Sequence, residues 1–135
     1  MVVPADVLEA MVEHCRREAP VEACGLLGGL GERVESCHPL RNVAASESRY
    51  DADGAEVIEV NRALREDGRA ILAIYHSHPR WRAVPSRVDL DENHWGEMPR
   101  IIVSLLEAEP EVRAWRLGPD SFEEIPLRAI PPAGP

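Results

Sequence analysis

Apolar positions recur along this chain at two different spacings, and the changes between them divide it into helices and strands. Val7, Leu8, Met11, Val12 and Cys15 repeat at helical spacing, with Glu9, Glu13, Arg16 and Arg17 on the other face. Pro4 suits the first position of that helix and Pro20 stops it. Residues 23–29, ACGLLGG, form a short apolar run ending in glycines, a buried strand and a turn. Residues 33–40 read as the returning strand. The polar stretch 41–53, RNVAASESRYDAD, is a loop. A second helix fits 55–66, with Val57, Ile58 and Leu64 facing inward and Gly68 just past its end.

Residues 70–75, AILAIY, are continuously apolar and run straight into His76-Ser77-His78-Pro79. A loop to Pro85 and a short helix over 88–94 follow. Two strands, 100–106 and 112–117, flank the acidic turn 107–111, and 122–125 adds an edge strand. This order predicts an α/β single domain: a mixed β-sheet flanked by helices. The domain is expected over 1–128, with a proline-rich, disordered tail over 129–135.

Composition narrows the function classes. The hydrophobic fraction of 44% is too high for a disordered chain, and with aromatics at 4% the core must be aliphatic. Every basic residue is arginine, so a Schiff-base lysine and a P-loop lysine are both excluded. A net charge of −9 without an arginine stripe argues against nucleic acid as a partner. Cys15, Cys24 and Cys37 are an odd set without CxxC spacing, which fits neither a disulfide framework nor a four-cysteine zinc site. The start, MVVPADVLEA, does not resemble a signal peptide, and no apolar run is long enough to cross a bilayer. The expectation is a soluble, cytoplasmic protein that does not engage a membrane. Its oligomeric state is left open.

The informative segment is 75–89, YHSHPRWRAVPSRVD. In a strand, residues i and i+2 share a face, so His76 and His78 project together with Ser77 opposite. Two imidazoles on one face can hold one metal ion, and a catalytic zinc site needs a third protein ligand. Asp89 is the candidate, just after a loop able to fold back beneath the strand end. Ser86-Arg87-Val88-Asp89 is equally a capping box for the short helix. The two readings are compatible, because a helix start at Ser86 fixes Asp89 and brings the Ser86 hydroxyl close to it. Hydrolysis also needs a base and a proton donor, roles that one carboxylate beside the metal can fill. Glu22, after Pro20 and before the glycine-rich strand, is the upstream candidate, although a solvated glutamate at a helix end looks the same in sequence.

In combination these residues resemble the signature of the JAMM (MPN-plus) metalloproteases. That signature is an upstream Glu, then His-[Ser/Thr]-His-Pro, seven residues counting that proline, and Ser-x-x-Asp. Glu22, His76-Ser77-His78-Pro79, the seven residues from Pro79 to Pro85, and Ser86 through Asp89 match in type and spacing. Asn42-Val43-Ala44 and Ile102-Val103-Ser104-Leu105 extend the likeness to the small prokaryotic members, over most of residues 1–117.

The resemblance implies a curved mixed sheet related to the cytidine-deaminase fold. It implies His76, His78 and Asp89 as zinc ligands, Glu22 as the base that then protonates the leaving amine, and Ser86 as an oxyanion donor. It implies a peptidase or isopeptidase acting on the C-terminal Gly-Gly tail of a ubiquitin-like or sulfur-carrier protein, cysteine being one released group. The alternative is a non-catalytic zinc-binding scaffold or interaction module. HExxH is absent, as is the PCxxC of the zinc deaminases.

Other singled-out residues carry less. Cys24 in its apolar strand reads as an inert core thiol rather than a nucleophile. His14, His38 and His94 lack ligand spacing and read as surface or satisfied histidines. Trp81 either contacts substrate or packs its loop. Trp95 and Trp115 read as structural.

Overall fold

A computed structural model describes residues 1–132. Its elements are β1 Val2–Pro4, α1 Ala5–Glu18, β2 Cys24–Leu30, β3 Arg33–Leu40, α2 Gly54–Glu66 and β4 Ala70–His78. They continue with α3 Arg87–Asp91, β5 Arg100–Ser104, β6 Glu111–Leu117, β7 Phe122–Ile125 and β8 Arg128–Ile130. The eight strands make one mixed sheet in the order β7-β6-β5-β4-β2-β3-β1-β8. β4 lies at its centre, antiparallel to β2 and parallel to β5. The register of β2 shifts against both neighbours around Gly28, and bulges of this kind bend a sheet.

Alternation along β4 sorts the two faces. Ala73 and Tyr75 pack with Leu27, Val34, Ile101 and Val103 under α1, which contributes Val7, Met11 and Cys15. Ile74 turns the other way, toward Cys24, Leu26 and Leu40, where Val57 and Val60 of α2 cover the sheet. A third group on β5 and β6, Ile102, Trp115 and Leu117, receives Ala83, Val84 and Leu90 from the loop and helix that follow β4. That third packing holds the 79–86 loop down beside the strand end.

Several details depart from the sequence reading. Ile58 is 70% exposed, because the buried stripe of α2 runs through Val57, Val60 and Leu64, one residue off. Of the two readings of His14, the structure takes the satisfied one: it is buried at 3% exposure, its Nδ1 2.6 Å from the Tyr75 hydroxyl. Pro4 caps α1 rather than opening it, and it ends β1, a strand too short for periodicity to show. α3 ends at Asp91, earlier than expected. The boundary expected at 128 is also crossed: Ala129 and Ile130 belong to β8, paired in parallel with Val3 and Pro4. The rest of the expected tail lies partly outside the described residues. No helix among those described is long and apolar enough to cross a membrane.

Candidate active site

β4 carries both histidines in its last three residues, so pairing with β5 fixes their backbones, His76 against Ile102 and His78 against Ser104, while His76 also faces Cys24 of β2. His76 and His78 are both buried on the α2 face, their Nε2 atoms 3.2 Å apart. Ser77 points the opposite way. Its Oγ accepts the Ala23 N–H at 2.8 Å, and its own N–H donates to the Ala23 carbonyl at 3.0 Å. The residue between the histidines therefore fixes the neighbour of Glu22.

Asp89 reaches the same point from α3. Ser86 caps that helix with a complete capping box: Ser86 Oγ accepts the Asp89 N–H at 3.1 Å, and Asp89 Oδ2 accepts the Ser86 N–H at 2.9 Å. The box turns the Asp89 carboxylate back toward β4. Oδ1 lies 3.1 Å from His76 Nε2, and Oδ2 3.1 Å from His78 Nε2. His78 Nδ1 donates to the Arg82 carbonyl at 2.7 Å, which leaves its Nε2 lone pair facing inward.

These three side chains could hold a metal ion. The fit rests on their spacing and chemistry. A tetrahedral centre with bonds of about 2.0–2.1 Å has ligand–ligand edges of about 3.3–3.4 Å; here the two Nε2 atoms lie 3.2 Å apart, and each lies 3.1 Å from a different Asp89 oxygen. Two imidazoles and one carboxylate suit a borderline divalent ion. The electrostatics agree. Burial raises the Asp89 carboxyl, but the two imidazoles outweigh it and hold the group well below the usual carboxylate range. Burial lowers His76, while His78 is also lowered by burial but raised overall by its bond to Asp89.

Glu22 is 4% exposed, and its Oε1 has no hydrogen-bond partner among the described residues. Its backbone is clamped instead. The N–H donates to Ser46 at 2.8 Å, and the carbonyl accepts from Asn42 Nδ2 at 2.9 Å. Burial, with smaller contributions from Asp89 and Glu92 opposed by His78, pushes the carboxyl up to about 8. Glu22, His78 and Ser86 line one open cleft of about 280 Å³, whose rim includes Pro79, Arg80, Trp81 and Val88. All five candidate residues are thus gathered at one end of β4.

Two neighbours of the site carry no sequence signal. Tyr50, in the polar 41–53 loop, stacks on His76 with ring centroids 4.6 Å apart. Arg100 is buried beneath the site and bonds to Asn93 through Nη2, its charge disfavoured by burial. Cys24 is buried with its thiol raised to about 12, an inert group. His38 pairs with Ser36 Oγ at 2.7 Å, and His94 stays exposed. Trp115 is buried, and its indole N–H donates to the Ala83 carbonyl at 2.9 Å, which anchors the loop. Trp81 is 59% exposed at the cleft.

The family described as prokaryotic homologs of the JAB domain matches residues 4–118, a span that contains every residue of this site. The chain belongs to that family. As a prokaryotic JAB-domain protein it is 33% identical over 133 residues to the CysO-cysteine peptidase of Mycobacterium tuberculosis, covering 96% of this chain and 91% of that one. It is 43% identical over 96 residues to a probable TtuB-protein conjugate cleaving protease of Thermus thermophilus, covering 70% of this chain and 64% of that one. Among solved structures, protein DSY2949 of Desulfitobacterium hafniense superposes with a TM-score of 0.90 at 29% identity, covering 97% and 94% of the two chains. The α/β fold with its curved mixed sheet is therefore that of the JAB domain.

Proposed function

We propose that this JAB-domain chain is a zinc-dependent peptidase or isopeptidase. Its substrate is the amide bond at the C-terminal Gly-Gly tail of a ubiquitin-like or sulfur-carrier protein. The observation that carries this reading is the buried His76–His78–Asp89 triangle beside the buried, unpartnered Glu22 carboxyl in one cleft. The names of the relatives support it: one is a peptidase for a CysO–cysteine adduct, another a protease for TtuB–protein conjugates. Three free cysteines accord with a reducing, cytoplasmic setting.

His76, His78 and Asp89 would hold the ion. Zinc bound there supplies Lewis acidity for water and for the scissile carbonyl. Glu22 takes a proton from the attacking water as its oxygen joins the carbonyl carbon. The same carboxyl returns the proton to the amide nitrogen as the C–N bond breaks, so tail carboxylate and free amine result. Burial favours the neutral form of Glu22, and the ionised form needed for a base would be favoured by a cation held by His76, His78 and Asp89. The Ser86 hydroxyl accepts the α3 capping bond through a lone pair and keeps its own hydrogen to donate to the developing oxyanion.

The test weighs the products released from ubiquitin-like carriers bearing different C-terminal adducts, using wild type and Glu22→Gln. Wild type should shorten a carrier by its adduct, while Glu22→Gln keeps its zinc and loses roughly 10²–10⁴-fold in turnover. Undiminished cleavage by the variant removes Glu22 from its role. Full zinc occupancy with no cleavage of any adduct favours the scaffold alternative.

A further inference from the structure

Arg80 and Trp81 follow Pro79 directly and line the Glu22 cleft together with Ser86 and Val88. Trp81 offers an exposed indole there, and Arg80 brings a cation to a chain of net charge −9. Among the described residues Arg80 has one ionic partner, Glu47 of the 41–53 loop, at 3.4 Å, with the two side chains 78% and 56% exposed. Such an exposed single contact is weak and readily exchanged. Guanidinium presents a fork that fits a carboxylate with two parallel bonds, a better partner than this one.

The cleft, about 280 Å³, is at the small end of ligand pockets, which begin at about 300 Å³. It admits one residue rather than a folded surface. Glycines on the carrier side of the scissile bond have no side chain to place in it. The residue on the leaving side does, and Glu22, which protonates the leaving nitrogen, lines this cleft.

We infer that Arg80 reads the free α-carboxylate of the leaving residue. The preferred substrate is then a carrier bearing a single small amino acid rather than one joined to a protein lysine. This rests on the peptidase reading above and specifies its substrate. The entering carboxylate displaces Glu47 from Arg80, and Trp81 covers the leaving side chain. A lysine isopeptide brings a long aliphatic stem and no carboxylate to the same place.

The experiment gives zinc-loaded protein a ubiquitin-like protein ending in Gly-Gly, extended by cysteine, by cysteinamide, or by an isopeptide bond to Nε of a lysine amide. The cysteine adduct should show a KM about tenfold below the other two. Arg80→Gln should raise that KM about tenfold with kcat held, which abolishes the preference, and Glu47→Gln should lower it by removing the competing carboxylate. Equal handling of acid and amide by wild type, or a preference that survives Arg80→Gln, overturns the inference. Calorimetry of zinc-loaded Glu22→Gln protein with acetyl-Gly-Gly-Cys and its carboxamide separates this from failure of the peptidase reading. Tighter binding of the acid without any turnover by wild type sinks hydrolysis and keeps the carboxylate site. Equal binding of the two peptides sinks the carboxylate site.

Discussion

Ser77 and Ala23 exchange two hydrogen bonds, one through the Ser77 hydroxyl at 2.8 Å and one between backbones at 3.0 Å. They link the strand bearing both histidines to the residue beside Glu22, and so set the distance between the metal triangle and the acid. Ser77→Ala removes the side-chain bond and leaves the buried Ala23 N–H without its acceptor. The loss should be about 1–3 kcal/mol of stability. It should also cut kcat while zinc stoichiometry stays at one. Unchanged kcat in a correctly folded Ser77→Ala protein would show that Glu22 is positioned by the 42–46 loop alone.

Asp89 serves two structures at once, the α3 cap and the triangle, and Asn can serve only the first. In Asp89→Asn one oxygen remains to accept the Ser86 N–H, while an amide NH₂ replaces the other oxygen. We expect α3 to persist and metal affinity to fall by more than the roughly 10–100-fold typical of residues behind the ligands. Zinc content after dialysis against a weak chelator measures this. Full occupancy would place the third ligand elsewhere.

The pairing of His76 with His78 was legible because strand periodicity puts i and i+2 on one face, and the Ser86 cap because its side chains act locally. Their convergence with Glu22 rested on resemblance, since no local rule brings positions 22, 76 and 89 together. Tyr50 and Arg100 were invisible: one sits in a loop with no period, the other opens an apolar strand where an exposed arginine reads the same. Sequence leaves His14 between a surface and a satisfied reading, although it follows Val7 by seven residues and so shares the buried face of α1; the Tyr75 hydroxyl across the sheet, which no local rule predicts, is what makes its burial tolerable. β1 and β8 are three residues each, shorter than any pattern.

Gly25 and Tyr75 face one another across β2 and β4, and a Cβ at position 25 would run into the Tyr75 ring. That ring cannot retreat easily, because its hydroxyl is held by His14 at 2.6 Å. Gly25→Ala should cost about 1–3 kcal/mol, with a fall in Tm of several degrees. Adding Tyr75→Leu should make the pair strongly non-additive. Additive losses would mean that the clash is relieved elsewhere.

Burial raises Glu22 from an ordinary 4.5 to about 8 in the metal-free fold. Below pH 4.5 the folded and unfolded chains both hold the proton, and Glu22 makes no difference between them. Between pH 4.5 and 8 the unfolded chain loses it first, so stability falls as pH rises, and the penalty is complete above 8. Asp89 acts in the opposite sense: its depressed titration stabilises the fold above the ordinary 3.8, and that contribution is lost as pH falls. Glu22→Gln removes only the first effect. With chelator present, its stability should exceed that of wild type by more at pH 8 than at pH 5, by a few kcal/mol at most, and its Tm should follow. Parallel Tm profiles for the two proteins would mean that Glu22 ionises freely in the metal-free fold.

His76 and His78 are oriented by different means, and the difference can be measured. His78 is fixed by a hydrogen bond from Nδ1 to the Arg82 carbonyl, whereas the buried His76 Nδ1 has no partner among the described residues. What holds the His76 ring is the Tyr50 ring stacked on it at 24°. Tyr50→Phe keeps the stack and should keep zinc affinity. Tyr50→Ala frees the His76 ring to turn, so the three ligand atoms no longer start in place. We expect zinc Kd to rise about tenfold by chelator competition, the scale seen when support for a ligand is lost. Because Tyr50 also covers the cluster of Cys24, Leu26, Leu40 and Ile74, loss of packing must be told apart from loss of orientation. A packing loss lowers the Tm of the metal-free protein and leaves the Kd of its folded fraction unchanged. A lost stack raises that Kd even at temperatures where both variants are fully folded.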